Sequence, residues 1–260
     1  MSGAISVALC AGLATGPVAA QPNPQAVADP SQWPSQPAPI EVDETVEQRI
    51  DALIAAMSLE QKVGQIIQAD IGSVTPADVS RYHLGSILNG GNSTPTGEYN
   101  APAERWLKAA DDFYAASMKR DGDLPRIPVI WGSDAVHGHN NIVGATLFPH
   151  NIGLGAARDP ELMRRIGEIT AIEMRVTGLD WTFAPTLAVV RDDRWGRTYE
   201  GFGETPEIAT SYAAPIIEGL QGKIGDEDWL RGPHIVATAK HFLGDGGTAG
   251  GKDQGDARID

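Results

Sequence analysis

The apolar run IPVIW at residues 127–131 leads directly into the polar segment GSDAVHGHNN at residues 132–141. A short apolar run that ends in polar turn residues is typical of a buried strand of a parallel sheet. The same order occurs at two further places: LDWTFA (179–184) before DDRWGRTYEGFGE (192–204), and IVATA (235–239) before KHFLGDGG (240–247). The loops that follow parallel strands meet at one rim, where α/β proteins place their binding sites.

Helices are predicted before and between these strands. Apolar residues recur at helical spacing over residues 46–57, and Ser58 with Gln61 forms the pattern of a capping box that begins a second helix, reaching Ile67. The first strand is then expected at residues 85–88, and an amphipathic helix at residues 102–119.

Two further helices have clear starting signals. Asp159 with Pro160 is typical of an N-cap followed by a first turn, and Thr205 with Pro206 is predicted to start the second helix. The inner faces of the two helices are predicted to carry these residues: Leu162, Ile166, Ile169 and Ile172 in the first, and Ile208, Tyr212, Ile216 and Leu220 in the second.

The count is about four strand–loop–helix units, which predicts an α/β fold of the (β/α)8 TIM-barrel type, truncated after about the fourth strand. A half barrel would leave its last parallel strand with an unpaired edge, which natural domains avoid. We therefore expect this chain of 260 residues to be a fragment of a longer protein.

Composition limits the partners of the chain. The hydrophobic fraction of 42% and the charged fraction of 21% are those of an ordinary globular protein. The formal net charge is −14 and the isoelectric point is about 4.8. Nucleic acids and anionic membrane surfaces bind clustered Lys and Arg, so neither is expected as a partner.

The N-terminus is typical of an exported protein. An apolar run that ends in Val18-Ala19-Ala20 predicts a signal peptide at residues 1–20, although no Lys or Arg precedes Arg49. Two alternatives are a lipid anchor on the single cysteine, Cys10, and an unstructured apolar tail. Residues 21–41 are rich in Pro and Gln and indicate a linker, so the folded domain is expected at 42–260, in the periplasm or outside the cell.

The strand ends supply charged groups that could bind sugar hydroxyls. Asp134 can accept hydrogen bonds, Arg197 and Lys240 can donate them, and His241 can do either. For each residue alone the alternative is a structural salt bridge, since Asp192, Asp193 and Glu200 are all near enough in sequence to pair with Arg194 or Arg197. Gly90 and Gly91 follow the first predicted strand and indicate either a turn or a backbone contact with a ligand.

A metal-dependent hydrolase is an alternative, because His137 and His139 form an HxH pair after a predicted strand. No second histidine pair follows at a suitable spacing. We therefore interpret these histidines as bonding to backbone and holding the loop, and we expect neither a metal nor a cofactor.

Three long segments, in this order, resemble the N-terminal barrel domain of glycoside hydrolase family 3: residues 127–160, FAPTLAVVRDDRWGRTYEGFGE (183–204) and ATAKHFLGDGGT (237–248). The resemblance extends from about Val46 to the last residue and implies an exo-acting, retaining β-glucosidase or β-glucan glucohydrolase. It places Asp134, Arg197, Lys240 and His241 in the minus-one subsite, with Gly90 and Gly91 lining the pocket.

The resemblance also separates branches of the family. The N-acetylglucosaminidase branch typically has Pro and His after Lys-His-Phe, whereas Leu243-Gly244-Asp245-Gly246 follows here, which favours a glucosidase.

The resemblance also implies a nucleophilic Asp and an acid/base Glu beyond Asp260, in the C-terminal part of a parent enzyme, so no catalytic residue is assigned within the chain. Asp253, Asp256 and Asp260 lie in a polar tail with no strand to hold them. The second hypothesis is therefore an inactive fragment that binds sugar weakly or does not fold alone.

Overall fold

The computed structural model describes residues 35, 37, 40–90, 93–119 and 124–258. The predicted signal peptide, most of the predicted linker, Gly91 and Asp260 lie outside these residues. Within the described part of the chain, none of the helices combines the length and the apolar character needed to cross a bilayer.

Helices and strands alternate along the described chain. In order they are α1 (Glu44–Ala56), α2 (Leu59–Gln65), β1 (Gln68–Asp70), α3 (Pro76–Tyr82), β2 (Ser86–Asn89), α4 (Ala103–Ser117), β3 (Ile130–Ser133), α5 (Asn151–Ala157), α6 (Pro160–Arg175), β4 (Trp181–Thr182) and α7 (Pro206–Gln221). A short 3-10 turn, Thr198–Glu200, lies between β4 and α7.

The strands form one parallel sheet in the order β1-β2-β3-β4. The segment at residues 235–240 continues this order beside β4, through the isolated parallel bridges Trp181↔Val236 and Thr186↔Lys240. Hydrogen bonds of 2.8 Å from Thr182 N to Val236 O and from Val236 N to Asp180 O support the pairing. The predicted partial α/β barrel is confirmed, with its strands in chain order.

One strand was missed. We predicted the first strand at residues 85–88, but β1 precedes it and pairs with β2 from Gln68↔Ser86 to Asp70↔Leu88. The prediction was wrong because Ile66 and Ile67 were assigned to the second helix, whereas α2 ends at Gln65. Only Ala69 is apolar within β1, so the strand has no apolar run of its own.

The helix starts were predicted better than the helix faces. Asp159 Oδ1 accepts a hydrogen bond of 2.9 Å from Leu162 N at the start of α6, and the four apolar residues predicted inside α7 are buried. In α6, however, Ile169 and Ile172 are 40% and 47% exposed, and the inner face is formed by Met163, Ile166, Gly167, Thr170, Ala171 and Met174. The inner face of α6 includes the small and polar residues Gly167 and Thr170, whereas Ile169 and Ile172 lie beside it, so the positions of the large apolar residues alone did not determine the orientation.

The predicted capping box of α2 is also incomplete. Ser58 Oγ accepts from Gln61 N at 3.2 Å, but the Gln61 side chain donates to the Pro125 carbonyl at 3.2 Å instead of returning to Ser58. Ser58 is thus an ordinary N-cap, and Gln61 ties α2 to the segment that leads into β3.

The core lies between the sheet and helices α4, α6 and α7. Trp106 of α4 stacks on Trp131 of β3 with ring centroids 5.8 Å apart, and Phe113 meets Trp131 edge-on at the same distance. This packing holds the carboxyl end of β3, and with it Asp134, against α4.

Candidate functional site

The predicted site residues come from successive positions along the sheet. Asp134 directly follows β3, Arg197 precedes the 3-10 turn after β4, and Lys240 and His241 end the segment beside β4. Gly90 directly follows β2, whose last residue, Asn89, is the register partner of Ser133. The parallel arrangement therefore puts these residues at one rim of the sheet, as expected.

Asp134 and Lys240 are in direct contact. Lys240 Nζ donates to Asp134 Oδ1 at 2.8 Å, and the lysine and aspartate side chains are 13% and 32% exposed, respectively. Asn141 holds the start of the loop, because its Nδ2 donates to Ser133 Oγ at 2.8 Å and to the Asp134 carbonyl at 3.2 Å. An aspartate and a lysine far apart in the chain thus form one polar unit.

Arg197 is held by Glu200 in a two-point pair. Its Nε donates to Glu200 Oε1 and its Nη2 donates to Oε2, both at 2.7 Å. Burial raises the pKa of Glu200, but the hydrogen bonds and charge of Arg197, followed by the charges of Lys240 and His241, outweigh it and leave the pKa below its ordinary value. The pKa of Arg197 is raised, chiefly by its hydrogen bonds to Glu200.

His241 lies beside Asp245, with 2.7 Å between Nδ1 and Oδ2. Both atoms are buried, yet they are not aligned as a hydrogen bond, so the contact is electrostatic only. Burial, followed by the charge of Arg197, lowers the pKa of His241 against the opposing effect of Asp245. His241 is therefore neutral near pH 7 and can accept or donate one hydrogen bond.

A cleft of about 260 Å3 opens beside Arg197 and His241. It is lined by Arg197, His241, Phe242, Asp245, Thr248 and Gln254, among others. Phe242 is 92% exposed, so an aromatic ring stands at the edge of a polar cleft. Charged groups beside an exposed aromatic ring suit a ligand with hydroxyl groups and one apolar face.

Gly90 belongs to a loop that is closed by its own hydrogen bonds. The Gly90 carbonyl accepts from Ser93 N at 2.9 Å, and Asn89 Nδ2 donates to the Ser93 carbonyl at 2.8 Å. Ser93 Oγ also donates to Asp70 Oδ2 at 3.4 Å, which links the loop to the end of β1. Sequence reasoning missed Asp70 because it missed the strand that Asp70 ends.

The two histidines of the HxH pair bond to different side chains. His137 Nε2 lies 3.2 Å from His150 Nδ1, and His139 Nε2 lies 3.0 Å from Thr177 Oγ1. The prediction that they bond to backbone was wrong, because each finds its partner on a neighbouring element. Burial lowers the pKa of His139 to about 4. Across the described ranges, no cluster of three or more His, Cys, Asp or Glu side chains is arranged to hold a metal ion.

The chain matches the model of the glycosyl hydrolase family 3 N-terminal domain over residues 58–259. The chain belongs to glycosyl hydrolase family 3. Its motif order and the parallel sheet of this family 3 domain agree with the resemblance seen in the sequence.

Solved and curated members of family 3 extend this comparison. The exo-1,3/1,4-beta-glucanase of a Pseudoalteromonas species is 53% identical, with a TM-score of 0.79 over 83% of this chain. The lysosomal beta glucosidase of Dictyostelium discoideum is 34% identical over 81% of the chain, and a beta-xylosidase of Formosa agariphila is 32% identical over 78%. The chain spans 27%, 27% and 22% of the lengths of these proteins, respectively.

Proposed function

We propose that this chain carries the sugar-binding part of the barrel of an exo-acting, retaining β-glucosidase that releases terminal β-D-glucose from cello- or β-gluco-oligosaccharides. The observation that carries the proposal is that Asp134, Arg197, Lys240 and His241 follow separate strands at one rim of the sheet. Lys240 pairs with Asp134 there, and Arg197 and His241 line a cleft. Similarity to an exo-1,3/1,4-beta-glucanase supports the same substrate class.

Each residue would have a distinct role toward the terminal glucose. Asp134 would accept hydrogen bonds from sugar hydroxyls through the lone pairs that Lys240 leaves free. Arg197 and Lys240 would donate charge-assisted hydrogen bonds, which are stronger than neutral ones. His241 would contribute a neutral ring nitrogen, and the backbone of Gly90 would border the pocket from the neighbouring strand end.

The chemistry of the bond cleavage would come from other parts of the parent polypeptide. In a retaining glycosidase one carboxylate attacks the anomeric carbon, and a carboxylic acid first protonates the leaving group and then activates water. We propose that the nucleophilic Asp and the acid/base Glu lie outside these 260 residues. Neither a metal nor a cofactor is proposed, because this chemistry requires only the two carboxyl groups.

Export to the periplasm or the medium is part of the proposal. The N-terminal apolar run and its small residues at 18–20 support it, as does the similarity to a lysosomal relative. The proposed partners are a β-glucoside or β-glucan oligosaccharide and the C-terminal part of the parent enzyme.

The test uses both the chain and its parent. Calorimetric titration of the chain with glucose should give saturable binding, and the parent should release nitrophenol from an aryl β-glucoside with β-glucose as the first product seen by NMR. Titration with xylose, which lacks the hydroxymethyl group, tests the sugar that the beta-xylosidase relative suggests. A parent that cleaves aryl xylosides and not aryl glucosides would show that the sugar assignment is wrong.

A further inference from the structure

Two arginines of one loop form the same kind of ion pair, and the two pairs differ in exposure. Arg194 donates from Nε to Asp192 Oδ1 at 2.9 Å and from Nη2 to Oδ2 at 2.6 Å, and these side chains are 74% and 21% exposed. In the pair between Arg197 and Glu200 the side chains are 26% and 8% exposed. Solvent therefore screens the Arg194 pair more than the Arg197 pair.

Glu200 is itself fixed by its neighbours. Thr186, which is fully buried, donates from Oγ1 to Glu200 Oε2 at 3.3 Å. Asn151, the first residue of α5, donates from Nδ2 to the Glu200 carbonyl at 2.8 Å. The 3-10 turn then places the carboxylate three residues from Arg197. Three elements thus determine where this carboxylate lies.

The fixed carboxylate of Glu200 in turn determines the orientation of the Arg197 guanidinium. Two of its three guanidinium nitrogens, Nε and Nη2, are bonded to Glu200, and this fixes the plane of the group. The third nitrogen, Nη1, makes no hydrogen bond to any residue in the described ranges, and Arg197 lines the cleft. A donor that is ordered before the ligand arrives loses less conformational entropy on binding than a free side chain.

We propose that Glu200 is a positioning residue that holds the Arg197 guanidinium so that Nη1 meets a sugar hydroxyl. This inference rests on the proposed function and adds to it a residue that acts through Arg197 and does not touch the sugar. The negative charge of Glu200 also offsets the positive charges that Arg197 and Lys240 bring to the same rim.

The test replaces Glu200 by glutamine, which keeps the shape and removes the charge. For E200Q we expect the glucose affinity of the chain to fall by about tenfold, the factor that one lost charge-assisted contact represents. The matched control is D192N, which removes the charge that pairs with Arg194 in the same loop and should leave the affinity unchanged.

A double-mutant cycle separates positioning from a general structural effect. Arg197→Lys keeps the positive charge and removes the two-point pair. If Glu200 acts through that pair, E200Q should cost little further affinity in the Arg197→Lys background. An equal loss in both backgrounds would overturn the proposal.

A measurement made in the absence of sugar tests the positioning role of Glu200 separately from the proposed function. In NMR relaxation of arginine Nε–Hε groups, Arg197 should be as ordered as the backbone in the wild type and should become more mobile in E200Q. Unchanged order in E200Q would refute the positioning role, whatever the sugar does. Absence of glucose binding by the wild-type chain would instead refute the proposed function.

If E200Q does not fold, Thr186→Val provides the second variant, because it removes only the hydroxyl that holds Oε2. A partial loss of Arg197 order and a roughly twofold to threefold loss of affinity are expected. Wild-type values for both would contradict the proposal.

Discussion

Asp134 and Lys240 show how two residues far apart in sequence depend on each other at the rim. Lys240 is only 13% exposed, so removal of the Asp134 charge would leave a mostly buried ammonium group without its ion-pair partner. A buried charge without a partner is costly, and the same substitution removes a hydrogen-bond acceptor for the sugar.

For Asp134→Asn we therefore predict a loss of glucose affinity of about tenfold or more, measured by calorimetric titration of the chain. Asp112→Asn is the matched control, since Asp112 pairs with Lys108 at 2.7 Å on the exposed side of α4. Asp112→Asn should bind glucose as the wild type does. Equal affinities for the two variants would remove Asp134 from the site.

His139 gives the fold a dependence on pH. It is fully buried and its pKa falls from 6.5 to about 4, so the folded state holds it neutral. In the unfolded chain His139 is exposed and binds a proton at higher pH than it does in the folded state. The stability contributed by neutral His139 is therefore present above about pH 6.5 and is lost as the pH falls toward about 4.

The free energy of unfolding should thus fall by up to about 3 kcal/mol between about pH 6.5 and about pH 4 on account of His139. His139→Gln cannot titrate in this range. It should be less stable near neutrality but should show a shallower pH dependence in urea unfolding. Identical slopes for wild type and variant would contradict this explanation.

At the scale of elements, α6 and α7 meet through glycines. A Cβ on Gly219 would lie 2.1 Å from the Arg164 carbonyl oxygen of α6, and a Cβ on Gly167 would lie 2.7 Å from the Ile216 carbonyl oxygen of α7. Both obstacles are backbone atoms, so relief requires the helices to separate. These glycines thus set how closely α6 and α7 approach.

For Gly219→Ala we predict a loss of about 1–3 kcal/mol in the free energy of unfolding, measured by urea denaturation. Gly153→Ala in α5 is the control, because no heavy atom lies within 4 Å of the added carbon. This control should gain about 0.5–1 kcal/mol from helix propensity. A Gly219→Ala variant as stable as Gly153→Ala would show that the helices are not in close contact.

At the scale of the whole molecule, apolar faces remain uncovered. No residue of α1 is buried, and Val46, Ile50 and Ile54 are 41–49% exposed along it. On α2, Leu59 is 72% exposed, and Ile66 beyond its end is 85% exposed. Among the described strands, β1 pairs with β2 alone, so its second edge is unpaired. An apolar surface of this kind favours association.

The chain is therefore predicted to self-associate and to bind an apolar dye. Ile50→Glu with Ile54→Glu should raise the monomer fraction in size-exclusion chromatography. The melting temperature should change little, because neither side chain is buried. Loss of the cooperative transition in this variant would show that the α1 face is part of the folded core.

The sequence alone determined the fold class, the family and the strand ends that carry Asp134, Arg197, Lys240 and His241. These features depend on local patterns, since an apolar run followed by polar loop residues identifies a strand and its rim without knowledge of distant contacts. The inner face of α7 was also correct, because its four predicted residues repeat every four positions along one face. Ion pairs between these arginines and nearby carboxylates were predicted as well, and the structure decided that Arg194 pairs with Asp192 and Arg197 with Glu200.

Only the tertiary structure decided the rest. β1 carries a single apolar residue and exists because β2 pairs with it. The inner face of α6 includes Gly167, whose close contact with α7 cannot be predicted from apolar spacing. The Asp134–Lys240 pair and the Thr186 and Asn151 contacts of Glu200 join residues distant in sequence. Such contacts depend on how the strands are placed side by side, which no local pattern encodes.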